Sequence, residues 1–171
     1  QDKVLEEVMK TVKRIKLGFK DDNLPYSYLF AGSSGVGKTK LATLLGENMV
    51  GIDNIIRLDM SEYIEASSIS KIIGAPPGYV GYKDNKNILE EIRNNPFSVL
   101  ILDEIEKAHP SIISLFFQVL DDGIIKDSKG NIVNFKNVVI IMTSNIGYND
   151  INVGFNKNID KLQVFFTLKI S

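Results

Sequence analysis

The run Tyr28-Leu29-Phe30-Ala31-Gly32-Ser33-Ser34-Gly35-Val36-Gly37-Lys38-Thr39 starts apolar, breaks into glycines, and then gives way to a segment whose Leu41, Leu44 and Leu45 fall at helical spacing. A strand, a glycine-rich turn and a helix in that order are the context that the phosphate-binding loop pattern requires, and the match is complete from Gly32 to Thr39. Each position has a physical task. Gly32, Gly35 and Gly37, with Ser33, Ser34 and Val36 between them, let the backbone curl. Successive N–H groups and the positive end of the following helix then surround phosphate oxygens. The Lys38 ammonium suits the space between the β- and γ-phosphates, and the Thr39 hydroxyl suits one coordination position on Mg²⁺. A glycine-rich turn with no ligand is the competing reading, and the completeness and placement of the loop weigh against it.

Working outward, further apolar runs at Ile55–Asp59, Val99–Asp103 and Val138–Thr143 are separated by helical segments. Strands apolar on both faces that alternate with helices predict an α/β fold, a parallel sheet flanked by helices on both faces. Ile124–Lys126 and Ile132–Phe135 flank the turn residues Asp127 to Asn131 and predict a hairpin. Upstream, Val4, Leu5, Val8, Val12 and Ile15 predict a helix with a solvated basic face that Gly18 closes.

The run Val99-Leu100-Ile101-Leu102 ends in two carboxylates, Asp103 and Glu104. Asp103 stands where an acid holds Mg²⁺ beside such a loop, and Glu104 stands where a base polarises an attacking water. A pair of acids at a helix N-terminus is the alternative reading. Asn145, after Thr143-Ser144, closes the last strand where its amide would hold water and γ-phosphate together, although such an asparagine is also an ordinary turn residue. His109, just before Pro110, reads as a helix-start residue with a structural role.

Composition sets the bounds. The 171 residues with 44% hydrophobic content make one domain with a buried core. With 20 basic against 21 acidic side chains, no excess field draws the chain to nucleic acid or to anionic membrane. There is no cysteine for a disulfide framework or thiolate metal site. The apolar runs fall short of the roughly 20 residues of a membrane span. Arginine is limited to Arg14, Arg57 and Arg93 amid abundant isoleucine, lysine and asparagine, a bias that fits an A/T-rich organelle genome.

From Gln1 to Gly147 the chain resembles the second ATPase module of the Clp unfoldases, of ClpB and ClpC type, in the AAA+ superfamily. The segments that carry the likeness are Leu58-Asp59-Met60-Ser61-Glu62-Tyr63, Gly74-Ala75-Pro76-Pro77-Gly78-Tyr79-Val80-Gly81-Tyr82, Asp103 to Pro110 and Val119-Leu120-Asp121-Asp122-Gly123. The resemblance implies an AAA+ P-loop NTPase large subdomain spanning residues 1–171, and ATP hydrolysis with Lys38, Glu104 and Asn145 as catalytic residues, Asn145 being the first sensor. It implies a homo-hexamer that threads polypeptide substrates, gripped by Tyr79 and Val80 in an axial channel. An aromatic flanked by Gly78 and Gly81 suits a grip that reads no sequence. The hairpin resembles the second channel loop. Val153-Gly154-Phe155-Asn156 resembles the loop that docks on a ClpP-type peptidase.

The tail departs from the family. Ile159 to Phe165 resembles the stretch after the family's arginine finger, yet Lys157 and Asn158 precede it. The expectation is a missing segment near 156–159, no small helical subdomain after Ser171, and weak hydrolysis by this stretch alone. ClpC-type proteins point to a plastid, apicoplast or chloroplast stroma, with the cytoplasm as the alternative. Other functional readings are a ClpB-like disaggregase without peptidase and a nucleotide-holding AAA+ scaffold. A small GTPase is disfavoured, because Asn156-Lys157-Asn158-Ile159 lacks the acid of a guanine-reading signature.

Overall fold

A computed structural model describes residues 24–75 and 87–145. The expected N-terminal helix, Tyr79 and Val80, Val153, Gly154 and Phe155, and the junction near 156–159 lie outside the described residues.

Four β-branched or leucine side chains in a row suit a strand covered on both faces. Accordingly β3 (Val99–Asp103) is buried along its whole length. It pairs in parallel with β2 (Ile55–Asp59) on one side and with β6 (Val139–Ser144) on the other, and β6 pairs in parallel with β1 (Tyr26–Ala31). The order is therefore β1-β6-β3-β2. The chain leaves β1 at one edge of this sheet, crosses over, and returns as β2 at the other. Such a reversal opens a crevice at the carboxyl ends of the strands, where open α/β sheets hold their ligands.

Alternation divides the core. One face carries Val99 and Ile101 with Tyr28, Phe30, Val139 and Ile141, and is covered by Ala42 and Leu45 of helix α1 (Lys38–Val50). Gly46 makes that approach close: a Cβ there would stand 3.1 Å from Ile55 Cδ1 and 3.3 Å from Val99 Cγ1. On the other face, Leu100, Leu102, Ile140 and Met142 lie under α2 (Ile69–Ile73), α3 (Ile88–Asn94) and α4 (Pro110–Asp122). Each fully buried aliphatic side chain of this kind stabilises the fold by about 1.5–3 kcal/mol. β2 departs from the expectation of strands apolar on both faces. It is the edge of the described sheet, and its Arg57 and Asp59 are exposed on the α1 side.

Helix α4 is punctuated as its sequence implies. His109 is its N-cap, with Nδ1 accepting from Ser111 N at 3.2 Å, Pro110 follows in the first turn, and Gly123 closes the helix at φ 70°. The hairpin forms as β4 (Ile124–Lys126) against antiparallel β5 (Ile132–Asn134), with Ile125 opposite Val133 and both buried. Its turn is organised by Asp127. Asp127 Oδ1 accepts from Lys129 N and Asn131 N at 2.9 and 2.8 Å, and Oδ2 accepts from Asn131 Nδ2 and Arg93 Nη2, both at 2.8 Å. Ser128 ties the same turn to the end of α2, donating from N to Ile73 O at 2.8 Å and from Oγ to Ala75 O at 3.0 Å.

Burial alone would push the Asp127 carboxyl up, but the Asn131 amide, the Arg93 guanidinium and the two backbone N–H donors outweigh it and hold the group down to about 2. Because that value lies below the ordinary 3.8, its contribution to stability is complete above about pH 4 and is lost as pH falls toward 2. Asp127→Asn should therefore destabilise the chain by about 1 kcal/mol at neutral pH, a figure reduced for the partly exposed Arg93. Urea unfolding of the two proteins should show that gap shrinking as pH drops below about 4, and a gap independent of pH would show that the charge on Asp127 is immaterial.

Candidate functional site

Because β6 lies between β1 and β3, the ends of these three strands stand side by side. The ladder runs on past β1, with Gly32 N donating to Ser144 O at 3.2 Å. The chain then turns through Gly35 at φ 80° and Gly37 at φ 91°, in the left-handed region that side chains disfavour. A Cβ added at either glycine would meet nothing within 4 Å, so the space above the loop is open. Helix α1 starts at Lys38 with no side-chain cap and no acid in its first turn. Its leading N–H groups therefore face that space with neither acid nor cap, and the helix dipole adds positive potential there.

Lys38 is buried, and its ammonium donates to Gly32 O at 2.9 Å, Ser33 O at 2.8 Å and Asn145 Oδ1 at 2.9 Å. These three acceptors match the three donors of an ammonium, and all three are neutral. None of the ion pairs among the described residues involves Lys38. The Lys38 ammonium is therefore buried against neutral acceptors alone, a condition that is costly until an anion reaches it.

Across from Lys38, Asn145 Nδ2 donates to Glu104 Oε1 at 2.7 Å. One side-chain amide thus joins the loop lysine to the second acid of β3. Glu104 has φ 55°, ψ 53°, and is the one residue other than glycine with positive φ among the described residues. That conformation costs on the order of 1–3 kcal/mol and persists only where its surroundings impose it. Here Thr143 Oγ1 accepts from Glu104 N at 3.0 Å, and the same hydroxyl donates to Asp103 Oδ1 at 2.5 Å. Thr39 Oγ1 donates to that oxygen too, at 2.7 Å, while Arg57 Nη2 donates to Oδ2 at 2.6 Å. Burial raises the Asp103 carboxyl, but the hydrogen bonds of Thr143, Thr39 and Arg57 and the Arg57 charge outweigh it, leaving the group below the usual carboxylate range.

Lys38, Thr39, Asp103, Glu104 and Asn145, the side chains that the sequence singles out, converge on one crevice beside the loop of Gly32, Ser33, Ser34, Gly35, Val36 and Gly37. Three further residues join them unannounced. Arg57 interrupts an apolar strand, a signal visible in Ile55-Ile56-Arg57-Leu58. Thr143 looks like an ordinary β-branched strand residue. Glu106 accepts from Asn145 N at 2.9 Å and fixes the exit from β6, but its position after the two acids resembles surface charge.

Among the described residues no group of three or more His, Cys, Asp or Glu could hold a metal by itself. The Thr39 hydroxyl and the Asp103 carboxylate, hydrogen-bonded to each other, are oxygen donors of the kind Mg²⁺ takes, and they fit an ion that draws its remaining ligands from phosphate and water.

An open loop of backbone amides around a buried, unpaired ammonium, at the carboxyl ends of a parallel sheet, defines an α/β domain of the nucleotide-binding class. The chain belongs to the AAA domain family (Cdc48 subfamily), whose family model matches residues 24–166. It is 48% identical over 165 residues to the chaperone protein ClpB of Lactococcus lactis subsp. cremoris, covering 94% of this chain and 19% of that protein. A probable chaperone protein ClpB 1 of Chlorobaculum tepidum is 52% identical over 149 residues, covering 86% of this chain and 34% of its own length. The ATP-dependent Clp protease ATP-binding subunit ClpE of Bacillus subtilis is 46% identical over 179 residues, covering 97% and 26%. The likeness to Clp proteins read from the motifs thus holds over most of the chain, which spans between a fifth and a third of these relatives' own length.

The double role of Thr143 is testable without nucleotide. Thr143→Val keeps the shape but removes the acceptor for Glu104 N and a donor to Asp103, and it should lower unfolding stability by about 1–3 kcal/mol. Denaturant titration should find Thr143→Ser closer to the parent chain than Thr143→Val, since serine restores the hydroxyl.

Proposed function

We propose that the chain is the ATP-hydrolysing large subdomain of a Clp-type unfoldase that works as a homo-hexamer and threads polypeptide substrates through its channel. The observation that carries this reading is the relay Lys38–Asn145–Glu104, which links the phosphate loop to a strained acid through one amide. On this reading the loop amides and Lys38 bind the β- and γ-phosphates of ATP, and Thr39 with Asp103 holds Mg²⁺. The metal supplies charge neutralisation at the phosphate oxygens. Glu104 orients the attacking water and accepts its proton, and Asn145 keeps the Glu104 carboxylate and the Lys38 ammonium in register. Thr143 holds Glu104 at the backbone angle that aims it into the crevice.

Tyr79 and Val80 form the polypeptide grip in this proposal, and the Asp127–Asn131 hairpin contributes a second channel contact. Delivery to a ClpP-type peptidase would use Val153, Gly154 and Phe155. A relative named as an ATP-binding subunit of Clp protease favours delivery, and the relatives named as ClpB chaperones favour a disaggregase without peptidase. Gly154→Asp or Phe155→Asp in the parent protein should abolish capture by a ClpP-type peptidase while leaving ATP turnover unchanged, and retained capture would favour the disaggregase reading.

The core of the proposal is tested by two substitutions. Calorimetry should show adenine nucleotide binding by the parent chain and its loss in Lys38→Ala. Glu104→Gln should keep that binding and lower ATP turnover in the assembled protein by roughly 100-fold or more. Undiminished turnover in Glu104→Gln would leave the domain a nucleotide-holding scaffold.

A further inference from the structure

The site acid Asp103 is shared between two unlike sets of partners. Its Oδ1 receives the hydroxyls of Thr39 and Thr143, both on elements fixed by the sheet and α1. Its Oδ2 receives the guanidinium of Arg57, at 2.6 Å, from a side chain that is 52% exposed on the edge strand. Arg57 and Asp103 lie on the same face of the sheet, since Arg57 stands opposite Ile101 and Asp59 opposite Asp103 in the register of β2 and β3. The function proposed above does not use Arg57, although it is the only ion-pair partner of Asp103 among the described residues.

We propose that Arg57 is a displaceable counter-ion for the metal: it neutralises Asp103 when no divalent cation is present, and yields Oδ2 when one is held between Thr39 and Asp103. The inference rests on the nucleotide reading above and adds to it what sets the metal requirement. A guanidinium and a divalent ion on one buried carboxylate repel each other, so the metal must either tolerate the guanidinium or expel it. Expulsion is easy for a half-exposed arginine on an edge strand, which can turn into water. The hydroxyls on Oδ1 need not move. Without Arg57, the metal-free state would leave a buried carboxylate with two hydroxyl donors and no opposite charge, which burial of that carboxylate makes costly.

The test follows retention of a fluorescent ADP analogue by the full chain while Mg²⁺ is titrated against a chelator, so that no turnover is involved. In Arg57→Gln the half-saturating Mg²⁺ concentration should fall about 5- to 10-fold. Arg57→Lys, which keeps the charge but offers a single, more strongly hydrated point contact, should shift it less. Thermal melts give a second readout: Arg57→Gln should melt below the parent chain in chelator, with the gap closing when Mg²⁺ and ADP are both present. A Mg²⁺ curve that stays in place in Arg57→Gln, or moves to higher concentration, overturns the proposal, the latter result making Arg57 a support of the metal site. A parent chain that holds no nucleotide at saturating Mg²⁺ would instead overturn the nucleotide reading itself, and this inference with it.

Discussion

The lateral pairing of β1 with β6 is the constraint on which the site depends. It brings Gly32 against Ser144 and Lys38 against Asn145, residues separated by 107 positions in the sequence. Without that pairing the ammonium would have the two loop carbonyls and no more. With it, Lys38 is saturated by neutral acceptors and buried, and the loop becomes a ready electropositive hollow. A carboxylate in place of the Asn145 amide would have neutralised the lysine and removed the attraction for phosphate. The neutrality of Asn145 therefore matters as much as its reach.

The same strand order explains how strain at Glu104 is kept. A glutamate in the left-handed region tends to relax into the extended or helical basin. Three hydrogen bonds prevent this. Thr143 of β6 receives the Glu104 N–H, Asn145 just beyond β6 holds its carboxylate, and Lys107 N bonds back to Glu104 O at 2.8 Å to close the short turn that follows. The stabilisation comes from the buried ladder of β3 and β6, whose apolar residues are almost wholly inaccessible.

Much of this was legible in the sequence, for reasons that differ from element to element. The phosphate loop and α1 follow from glycine spacing and helical periodicity, which are local. The hairpin follows from Asp127, Ser128, Gly130 and Asn131, which are also local, although its tether to Ile73 and Ala75 is not. The parallel sheet follows from apolar runs, but its order does not, because Val99–Leu102 and Val138–Ile141 look alike and nothing in either run names its neighbour. At the site, the residues with a characteristic chemistry were identifiable one by one. What escaped were the residues that act by holding others. Thr143 and Glu106 carry ordinary side chains whose importance lies wholly in long-range hydrogen bonds, and the partner of Arg57 lies 46 positions away.

Asp59 and Asp103 show how context decides the work of identical residues. They end neighbouring strands, stand in register, and point to the same face of the sheet. Asp59 is exposed and bonds locally, its Oδ1 accepting from Ser61 N at 2.9 Å and from Ser61 Oγ at 2.7 Å, so that it caps the short turn after β2. Asp103 is buried, and among the described residues every side-chain partner it has comes from another element: Thr39 from α1, Thr143 from β6 and Arg57 from β2. An acid whose bonds are all local can be replaced by another capping residue at little cost to the rest of the fold. An acid that gathers three elements around one carboxylate registers any change of charge in all three at once. That property suits Asp103, and not Asp59, to sense a cation.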